Sequence, residues 1–395
     1  MRIHFLIPHP QDEAPGQRLK FEQYYDRFRQ AGYTVIHDAF YSPALSHRIG
    51  QPGLLAKAFR LGWASLKRAG CLWTAWRSDV VYLFLEAVPV GPPMLEWIIM
   101  RLFKRPVIYD IDDLIYLKKP GSRNPFPAFS NQRRKVNFLM RNARHIIVCT
   151  SYLEQEARRL NAHVTKISST IDTAKYIPKQ QYHVPIVTLG WSGSFSTSPY
   201  LHLLDEALKI IQRRHGVAIR VIGDTGFSVP GVQVEAIPWR LESEVEDLLK
   251  IDIGLYPLPR QEWVLGKSGL KALQYMGLGI PAVMTPIGAN LEIGVHDKNC
   301  LFADSQEEWV DAITQLVLNP SQRERIGRAG RRTVEERYAV DVNWPRYLRA
   351  VREAVVSSQS TSHAAQGAGC FPQAGEREAE ERREPSVSLA GREKH

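Results

Sequence analysis

The sequence has few of the features that mark secreted, metal-bound or membrane-spanning proteins. Its 395 residues include only four cysteines, Cys71, Cys149, Cys300 and Cys370. No two of them form a CxxC pair, which argues against a zinc site or a disulfide framework, so we expect reduced thiols in a cytoplasmic protein. The first residues, MRIHFLIPHPQDE, contain too short an apolar run for a signal peptide. The longest apolar stretch, VVYLFLEAVPVGPPMLEWIIM, is broken by two glutamates and three prolines and falls short of a membrane span.

Positive charge is concentrated in the first half of the chain. Residues 1–171 hold 25 Lys and Arg against 13 Asp and Glu, a net charge of +12, whereas residues 172–356 have a net charge of −1. A basic half predicts an anionic partner. Nucleic acid, an anionic membrane surface and a phosphorylated substrate all remain open at this point.

Apolar strand patterns alternate with amphipathic helix patterns along the chain, which is long enough for about two domains. In the first half the strands are RIHFLIP, TVIHDAF, VVYLFLE, PVIYDID and HIIVCTS. In the second half they include VTLGWSG, VAIRVIGD, IGLYPLP and PAVMTPIG. This alternation predicts an α/β protein whose sheets are mostly parallel and covered by helices.

Loss of periodicity between residues 164 and 185 marks the predicted domain boundary. We expect a first domain over 1–171, a second over 172–340, and a helix over 341–356 that crosses back to the first domain. From 357 to 395 the composition shifts to Ser, Gly, Ala, Glu and Arg, which predicts a disordered tail.

The segment LGKSGLKALQYMGLGIPAV contains two lysines, Lys267 and Lys271, at the start of a predicted helix. Cations at a helix N-terminus are locally unfavourable, because that end carries partial positive charge. A diphosphate bound by the free N–H groups of Ser268, Gly269 and Leu270 would remove the mismatch, and a glycine lets phosphate approach the backbone. Solvated surface lysines are the alternative. A P-loop is excluded by Gln261, where that motif needs glycine.

The surrounding residues resemble a known family. The stretch VLGKSGLKALQYMGLGIPAVMTPIGANLEIGVHDKNCLFA is similar to the donor-site signature of family 4 retaining glycosyltransferases, and VTLGWSGSFSTSPYL, CTSYLEQEA, ISSTIDTAKY and IYDIDDLIY agree with it in order. The similarity extends over roughly residues 1–350. It implies the GT-B fold, in which two Rossmann-like domains face a cleft, and a nucleotide-sugar donor bound by the second domain.

The chain differs from the family at a pair of glutamates in the donor helix. The two glutamates of the family's donor helix correspond to Gly266 and Gln274. In the family the first touches the donor sugar and the second the ribose or phosphate region. Gln274 can still donate and accept hydrogen bonds, while Gly266 cannot replace a carboxylate, and Lys267 would substitute only in part.

Further donor contacts are predicted after neighbouring strands. Trp191, Gly193 and Ser194 form a turn whose N–H groups are expected to meet phosphate oxygens, the alternative being a tight structural turn. Asp224 ends a strand on the same side of the sheet. Trp239 is expected either to flank the nucleotide base or to pack in the core.

The acids of YDIDDLIY lie in the first half of the chain, away from the donor signature. A metal–diphosphate role is therefore not expected. Asp112 corresponds to a cleft position of the family and is predicted to contact the acceptor hydroxyl or the donor sugar, with Asp113 orienting its neighbours; the alternative is that these acids cap a loop. Gly16 and Arg18 follow the first strand, and Arg18 is expected to meet a phosphate or to be solvated.

Residues 54–77, LLAKAFRLGWASLKRAGCLWTAWR, interleave tryptophans with bases. This pattern is typical of a helix lying in a membrane interface, and equally of a packed amphipathic helix. Aromatic and basic residues also suit nucleic acid, but the sequence contains no recognised nucleic-acid-binding motif, so no nucleic-acid partner is expected.

The resemblance implies transfer of a sugar from a nucleotide diphosphate to a hydroxyl of a glycan or lipid-linked acceptor, with retention, in polysaccharide or glycoconjugate synthesis. No cofactor or metal is expected, because Lys267, Lys271 and the helix end would stabilise the leaving group. We place the enzyme in the cytoplasm, peripheral to the inner face of the membrane. The alternatives are an inactive glycosyltransferase-like binding protein and a basic membrane or nucleic-acid adaptor.

Overall fold

A computed structural model describes residues 1–42, 54–89, 91–117 and 132–366. The first half of the chain forms a six-stranded sheet in which every paired strand is parallel. Its strands are β1 (Arg2–Ile7), β2 (Thr34–Ala39), β3 (Val80–Phe84), β4 (Val107–Ile111), β5 (His145–Val148) and β6 (Val164–Lys166). Their spatial order is β2-β1-β3-β4-β5-β6.

A second parallel six-stranded sheet follows, in the order β12-β11-β10-β7-β8-β9. Its strands are β7 (Thr188–Ser192), β8 (Ala218–Ile222), β9 (Glu235–Ile237), β10 (Ile253–Tyr256), β11 (Ala282–Met284) and β12 (Leu301–Phe302). The prediction of two parallel α/β domains is therefore confirmed. The short edge strands β6 and β12 were not predicted.

The strand orders locate the two places where ligands are expected. In open parallel sheets a crevice forms at the carboxyl ends of adjacent strands whose connections run in opposite directions. In the first sheet this point lies between β1 and β3, and in the second between β7 and β10. The loops after these four strands are therefore the first to be examined for a site.

Helices cover both faces of the sheets. In the first half they are α1 (Pro15–Arg18), α2 (Tyr25–Gln30), α3 (Leu54–Ala69), α4 (Cys71–Trp76), α5 (Met94–Trp97), α6 (Gln132–Asn142) and α7 (Ser151–Arg158). In the second half they are α8 (Asp205–His215), α9 (Glu244–Leu249), α10 (Leu270–Gly277), α11 (Ala289–Ile293), α12 (Gln306–Leu318), α13 (Pro320–Thr333) and α14 (Val340–Gln366). None of the helices in the described part of the chain has both the length and the apolarity needed to cross a bilayer.

The central strands are buried on both faces, as their continuous apolar sequences predict. In β4 the side chains of Val107, Tyr109 and Ile111 belong to one core cluster, while Ile108 points into the cluster on the opposite face. Each fully buried aliphatic side chain of this kind contributes about 1.5–3 kcal/mol. The sheet is thus a rigid support for the loops that follow its strands.

The C-terminal helix α14 packs against the first domain. Its Tyr347, Val351 and Ala354 join the cluster that contains Phe5, and the Tyr347 ring centroid lies 4.6 Å from that of Tyr24. The helix continues to Gln366, past the point where the sequence pattern placed its end. The predicted disordered tail otherwise lies outside the described residues, which end at 366.

Residues Met1–Ser358 form one compact unit, within which the two domains contact each other directly. The Lys166 ammonium lies 2.7 Å from the Glu292 carboxylate, and the Ser169 hydroxyl donates to the Ser268 hydroxyl at 2.9 Å. These contacts bring the start of α10 against the first domain, because Ser268 lies two residues before that helix.

Candidate active site

The helix α10 begins at a glycine that its surroundings require. Gly269 has φ of +71°, in the left-handed region, and a Cβ atom there would lie only 2.4 Å from the Ile293 side chain. No side chain caps this end of the helix. The first N–H groups of a helix have no partner within the helix, so they are available to an anion.

Lys271 lies in the first turn of α10, between two aromatic rings. Its ammonium nitrogen is 5.2 Å from the ring centroid of Trp191 and 5.6 Å from that of Tyr256. Among the described residues it has no carboxylate partner. Burial, and then the nearby charge of Lys267, lower the pKa of Lys271 to about 7. The negative charge of an anion bound here would oppose that shift and raise the pKa of Lys271.

Lys267 reaches across to the first domain. Its ammonium nitrogen lies 3.4 Å from the Asp113 carboxylate, and both side chains are less than one quarter exposed. Burial opposes the charge of Lys267, but Asp113, Tyr256 and Asp112 outweigh it and raise the lysine's pKa. The two lysines therefore differ: Lys267 is paired with Asp113, whereas Lys271 has no carboxylate partner among the described residues and its pKa is lowered to about 7.

Gly266, which replaces the family's first glutamate, is in contact with the first domain. A Cβ atom at this position would lie 2.7 Å from both the backbone nitrogen and Cγ of Leu114. The thiol of Cys149 donates to the Gly266 carbonyl at 3.3 Å and lies 3.4 Å from the Asp112 carbonyl. The space that a glutamate would need is filled by backbone, which is the physical reason for glycine here.

Asp112 follows β4 and lies next to Gly16, where a Cβ atom would approach its Oδ2 to 3.3 Å. Burial raises the pKa of Asp112 to about 6, with Lys20 opposing the shift. Lys20 and Asp110 form a fully buried ion pair close to it, and Tyr82 donates to Asp110. Removing one partner of such a pair costs about 3–5 kcal/mol, so it holds the end of β4 firmly.

The Gly193 turn differs from the prediction. The Gly193 N–H donates to the Ile222 carbonyl at 2.9 Å, so it is not free to bind a phosphate oxygen. The hydroxyl of Ser194 is exposed and lies 2.8 Å from that of Ser196. The turn is still tightly constrained, because a Cβ atom at Gly193 would overlap the Trp191 ring at 2.4 Å.

The Asp224 carboxylate accepts hydrogen bonds from nearby residues of its own domain. Ser198 donates to one carboxylate oxygen, and the Gly226 N–H donates to the other at 3.1 Å. Both oxygens therefore have intramolecular partners, and a ligand contact by Asp224 stays a prediction.

Glu244 is the residue that sequence reasoning missed. Its carboxylate accepts from Arg18 at 2.5 Å, from the Trp239 indole at 2.9 Å and from the Tyr176 hydroxyl at 2.9 Å. The Gln274 amide also donates to it, at 3.3 Å. The Arg18 guanidinium lies 5.5 Å from the Trp239 ring centroid. Neither Arg18 nor Gln274 is thus a free ligand contact.

The structure thus brings together part of the predicted set. Lys267 lies against Asp113 and near Asp112 at the gap between the domains, and Gly269 and Lys271 follow it at the start of α10. Ser268 and Leu270 flank them, the first bound to Ser169 and the second packed partly into the core. Arg18, Trp239 and Gln274 form a second group around Glu244. No cluster of metal-binding side chains occurs among the residues that the structure describes.

Two parallel α/β domains with a helix N-terminus at the gap between them are the arrangement called the GT-B fold. Residues 190–333 match the family model described as "Glycosyl transferases group 1". This match lies within the second domain, which is therefore similar to that family.

Solved structures share the fold. HepE from Anabaena, solved with UDP-glucose, is 15% identical, with a TM-score of 0.63 over 91% of this chain and 100% of its own. Sucrose-phosphate synthase from Thermosynechococcus elongatus is 12% identical, with a TM-score of 0.64 over 93% and 100%. An alpha-glucosyltransferase solved with UDP and a 13-mer DNA is 13% identical, with a TM-score of 0.60 over 89% and 99%. The search of curated proteins finds no match.

Proposed function

We propose that the enzyme transfers a sugar, with retention, from a nucleotide diphosphate to a hydroxyl of a glycan or lipid-linked acceptor. The donor diphosphate binds at the N-terminus of α10, between Lys267 and Lys271. The single observation that carries this placement is Lys271, a lysine that lacks a carboxylate partner among the described residues and lies in the first turn of a helix. A diphosphate supplies the missing charge.

In this proposal the two lysines stabilise the leaving diphosphate as its charge develops. Electrostatic stabilisation of this kind is usually the largest single contribution to catalysis. Asp112, whose pKa is raised to about 6 by burial, contacts the acceptor hydroxyl or the donor sugar. Asp113 aligns Lys267, while Gly16 leaves room for the Asp112 carboxylate. Retention rests on the family resemblance, and the lysines take the part that a metal plays in other transferases.

The remaining donor contacts are proposed because of where their residues lie in the second domain. Ser194, Ser268, Leu270 and Asp224 lie near the carboxyl ends of β7, β8 and β10 or at the start of α10. These sites adjoin the crevice between β7 and β10, where a nucleotide is expected. Trp239 would meet the nucleotide only if its bond to Glu244 opened.

A peripheral contact with an anionic membrane is also part of the proposal. Helices α3 and α4 expose Trp63, Leu66, Trp73 and Trp76, and the guanidinium carbon of Arg77 lies 4.1 Å from the Trp73 ring centroid. Exposed aromatic side chains beside bases are typical of interfacial binding. Each base near an anionic leaflet contributes about 1 kcal/mol. This support favours an acceptor made at a membrane, in cell-surface polysaccharide or glycoconjugate synthesis.

A screen of UDP-, GDP- and dTDP-sugars tests the proposal. We expect the sugars of one nucleotide to raise the melting temperature of the protein. Without an acceptor, the enzyme should slowly hydrolyse the donor sugar that it binds. Binding without turnover, even with acceptors present, would favour the inactive binding protein. An adaptor would instead bind RNA or anionic vesicles in a salt-sensitive manner that survives replacement of Lys267 and Lys271.

Donor binding is expected to take up a proton through Lys271. Because burial and Lys267 lower its pKa to about 7, this lysine is mostly neutral at pH 8 in the free enzyme. A bound diphosphate raises the pKa, so about one proton enters per nucleotide. Affinity is then highest below pH 7 and falls by up to about tenfold per pH unit above it. Calorimetry of UDP (or the nucleotide selected by the screen) in buffers of different ionisation enthalpy measures the uptake.

The matched control for this measurement is Lys271→Met. Proton uptake by this variant on nucleotide binding at pH 8 should be close to zero. The natural enzyme at pH 6 should also take up almost no protons, once the titration of the nucleotide's own phosphate is subtracted. Equal uptake by the variant and the natural enzyme at pH 8 would assign the proton to another group.

A further inference from the structure

A buried carboxylate, that of Glu244, joins the two halves of the chain. Glu244 is 4% exposed and begins helix α9, where the partial positive charge of a helix N-terminus favours a carboxylate. Four side chains donate hydrogen bonds to it: Arg18, Trp239 and Gln274 to one oxygen, and Tyr176 to the other. Arg18 belongs to the first half of the chain and the other donors to the second. The Arg18–Glu244 ion pair is therefore a contact between the domains.

The glutamine at position 274, where the family has its second glutamate, is explained by this carboxylate. Gln274 is 5% exposed, and its amide nitrogen lies 3.3 Å from Oε1 of Glu244. A glutamate at position 274 would set two buried carboxylates against each other, and like charges that close repel and raise the pKa of one of them. An amide that donates a hydrogen bond fits there instead. The negative charge that the family has on α10 thus lies on α9 in this chain.

The short helix α1 is held between Glu244 and Asp112. Arg18 is its last residue, and the next residue, Leu19, is buried in the core cluster that contains Leu248 of α9. Earlier in α1, Gly16 lies so close to Asp112 that a Cβ atom would approach Oδ2 to 3.3 Å. A helix of four residues is not stable by itself. Its position therefore depends on these contacts with its surroundings.

Glu244 also contacts the helix that begins the donor site. Gln274 follows Lys271 by three positions on α10, so the two side chains are neighbours on one face of that helix. A continuous series of contacts thus runs from α10 through Gln274 and Glu244 to Arg18. It continues along α1 to Asp112.

We infer that Glu244 is a positioning residue for sugar transfer, which sets the distance between the start of α10 and Asp112 by holding Arg18 and Gln274. The inference rests on the proposed function, in which the donor diphosphate binds at α10 and Asp112 meets the acceptor hydroxyl or the donor sugar. Without the carboxylate, α1 is free to move away from the second domain. A displacement of about 1 Å at a reacting centre can cost on the order of 10²-fold in rate. Donor binding depends instead on the two lysines at the start of α10.

Steady-state kinetics with the donor selected by the screen test this role. Glu244→Gln leaves the buried Arg18 without its counter-charge, and Gln274→Glu sets two carboxylates against each other. We expect each single variant to lower kcat for transfer or donor hydrolysis by about tenfold or more, because α1 is displaced. The dissociation constant for UDP, or for the nucleotide that the screen selects, should change by less than about threefold, since the loss falls on the transition state.

The reciprocal exchange, Glu244→Gln with Gln274→Glu, returns one carboxylate and one amide to the cluster. It should recover kcat to within about threefold of the natural value, a coupling typical of residues in direct contact. Arg18→Met should reproduce the loss of kcat, whereas Arg18→Lys, which keeps the charge, should lose less. Melting temperatures are measured for every variant. A purely structural role would lower them and leave kcat unchanged at temperatures well below melting.

The matched control is Glu235→Gln, the same change at a position of the second domain that is more than half exposed and lies 2.7 Å from Arg220. It should keep nearly the natural kcat, because exposed ion pairs contribute little. Natural kcat in the folded single variants, or a double variant no more active than the worse single one, would overturn the inference and leave the proposed function standing. A natural protein that neither binds nor turns over any nucleotide sugar would reject both.

Discussion

Replacing Lys271 by alanine should lower kcat for sugar transfer or donor hydrolysis by about 10²–10³-fold, because one preorganised charge at a leaving group has that effect. The structure gives the reason: the ammonium lies between Trp191 and Tyr256 with no carboxylate partner among the described residues. It stands beside the free N–H groups of α10. Removing it leaves the diphosphate without its nearest unpaired cation. Initial rates with saturating donor measure the loss.

The control for this variant is Lys250→Ala. Lys250 belongs to the same domain, but its ammonium is more than half exposed and lies 3.1 Å from Asp247. It should retain nearly full activity. Since Lys271 is partly buried, the melting temperature of both variants is compared with that of the natural enzyme. A folded Lys271→Ala enzyme with more than a third of the natural kcat would remove the lysine from the mechanism.

Placing the family's glutamate at position 266 should lower activity sharply instead of improving it. A Cβ atom there lies 2.7 Å from the Leu114 backbone nitrogen, so a side chain must push the two domains apart. Overpacking of this kind costs about 1–3 kcal/mol. A displacement of about 1 Å at a reacting centre can cost on the order of 10²-fold in rate. We therefore expect kcat/KM of Gly266→Glu to fall by about 10²-fold and its melting temperature to drop.

Gly62→Ala is the matched glycine control. No atom lies within 4 Å of the position of a Cβ atom at Gly62, so alanine there should leave the rate unchanged and, inside helix α3, raise stability by about 0.5–1 kcal/mol. Gly266→Ala should fall between the two, since it adds the clashing atom without the carboxylate. A Gly266→Glu enzyme as active as the natural one would show that the contact with Leu114 does not exist during turnover.

Local patterns were sufficient to predict much of the architecture. Alternating strand and helix periods gave the parallel sheets, and the two lysines beside Gly269 marked the start of α10. These features depend on residues close together in sequence, where spacing alone specifies which side chains share a face. The lysines at the helix end were informative because they are unfavourable there without a ligand.

The contacts that sequence could not supply are long-range pairs. Arg18 and Glu244 are 226 residues apart, and Lys267 pairs with Asp113 from the other domain. The buried charge of Lys20 was equally hidden, since its partner Asp110 looked like any other acid in that motif. An excess of acids at the start of α9 was the one available signal for Glu244. The Gly193 N–H was misassigned because its partner, Ile222, belongs to a neighbouring strand.

The central claim is that Lys267, Lys271 and the start of α10 hold the leaving diphosphate. The most direct measurement is the ratio of dissociation constants for the free nucleoside and its diphosphate, in the natural enzyme and in Lys267→Ala/Lys271→Ala. The account predicts a natural enzyme that prefers the diphosphate by at least about 10²-fold, and a variant that loses most of this preference while its affinity for the nucleoside is unchanged. An unchanged ratio in the folded double variant would contradict it.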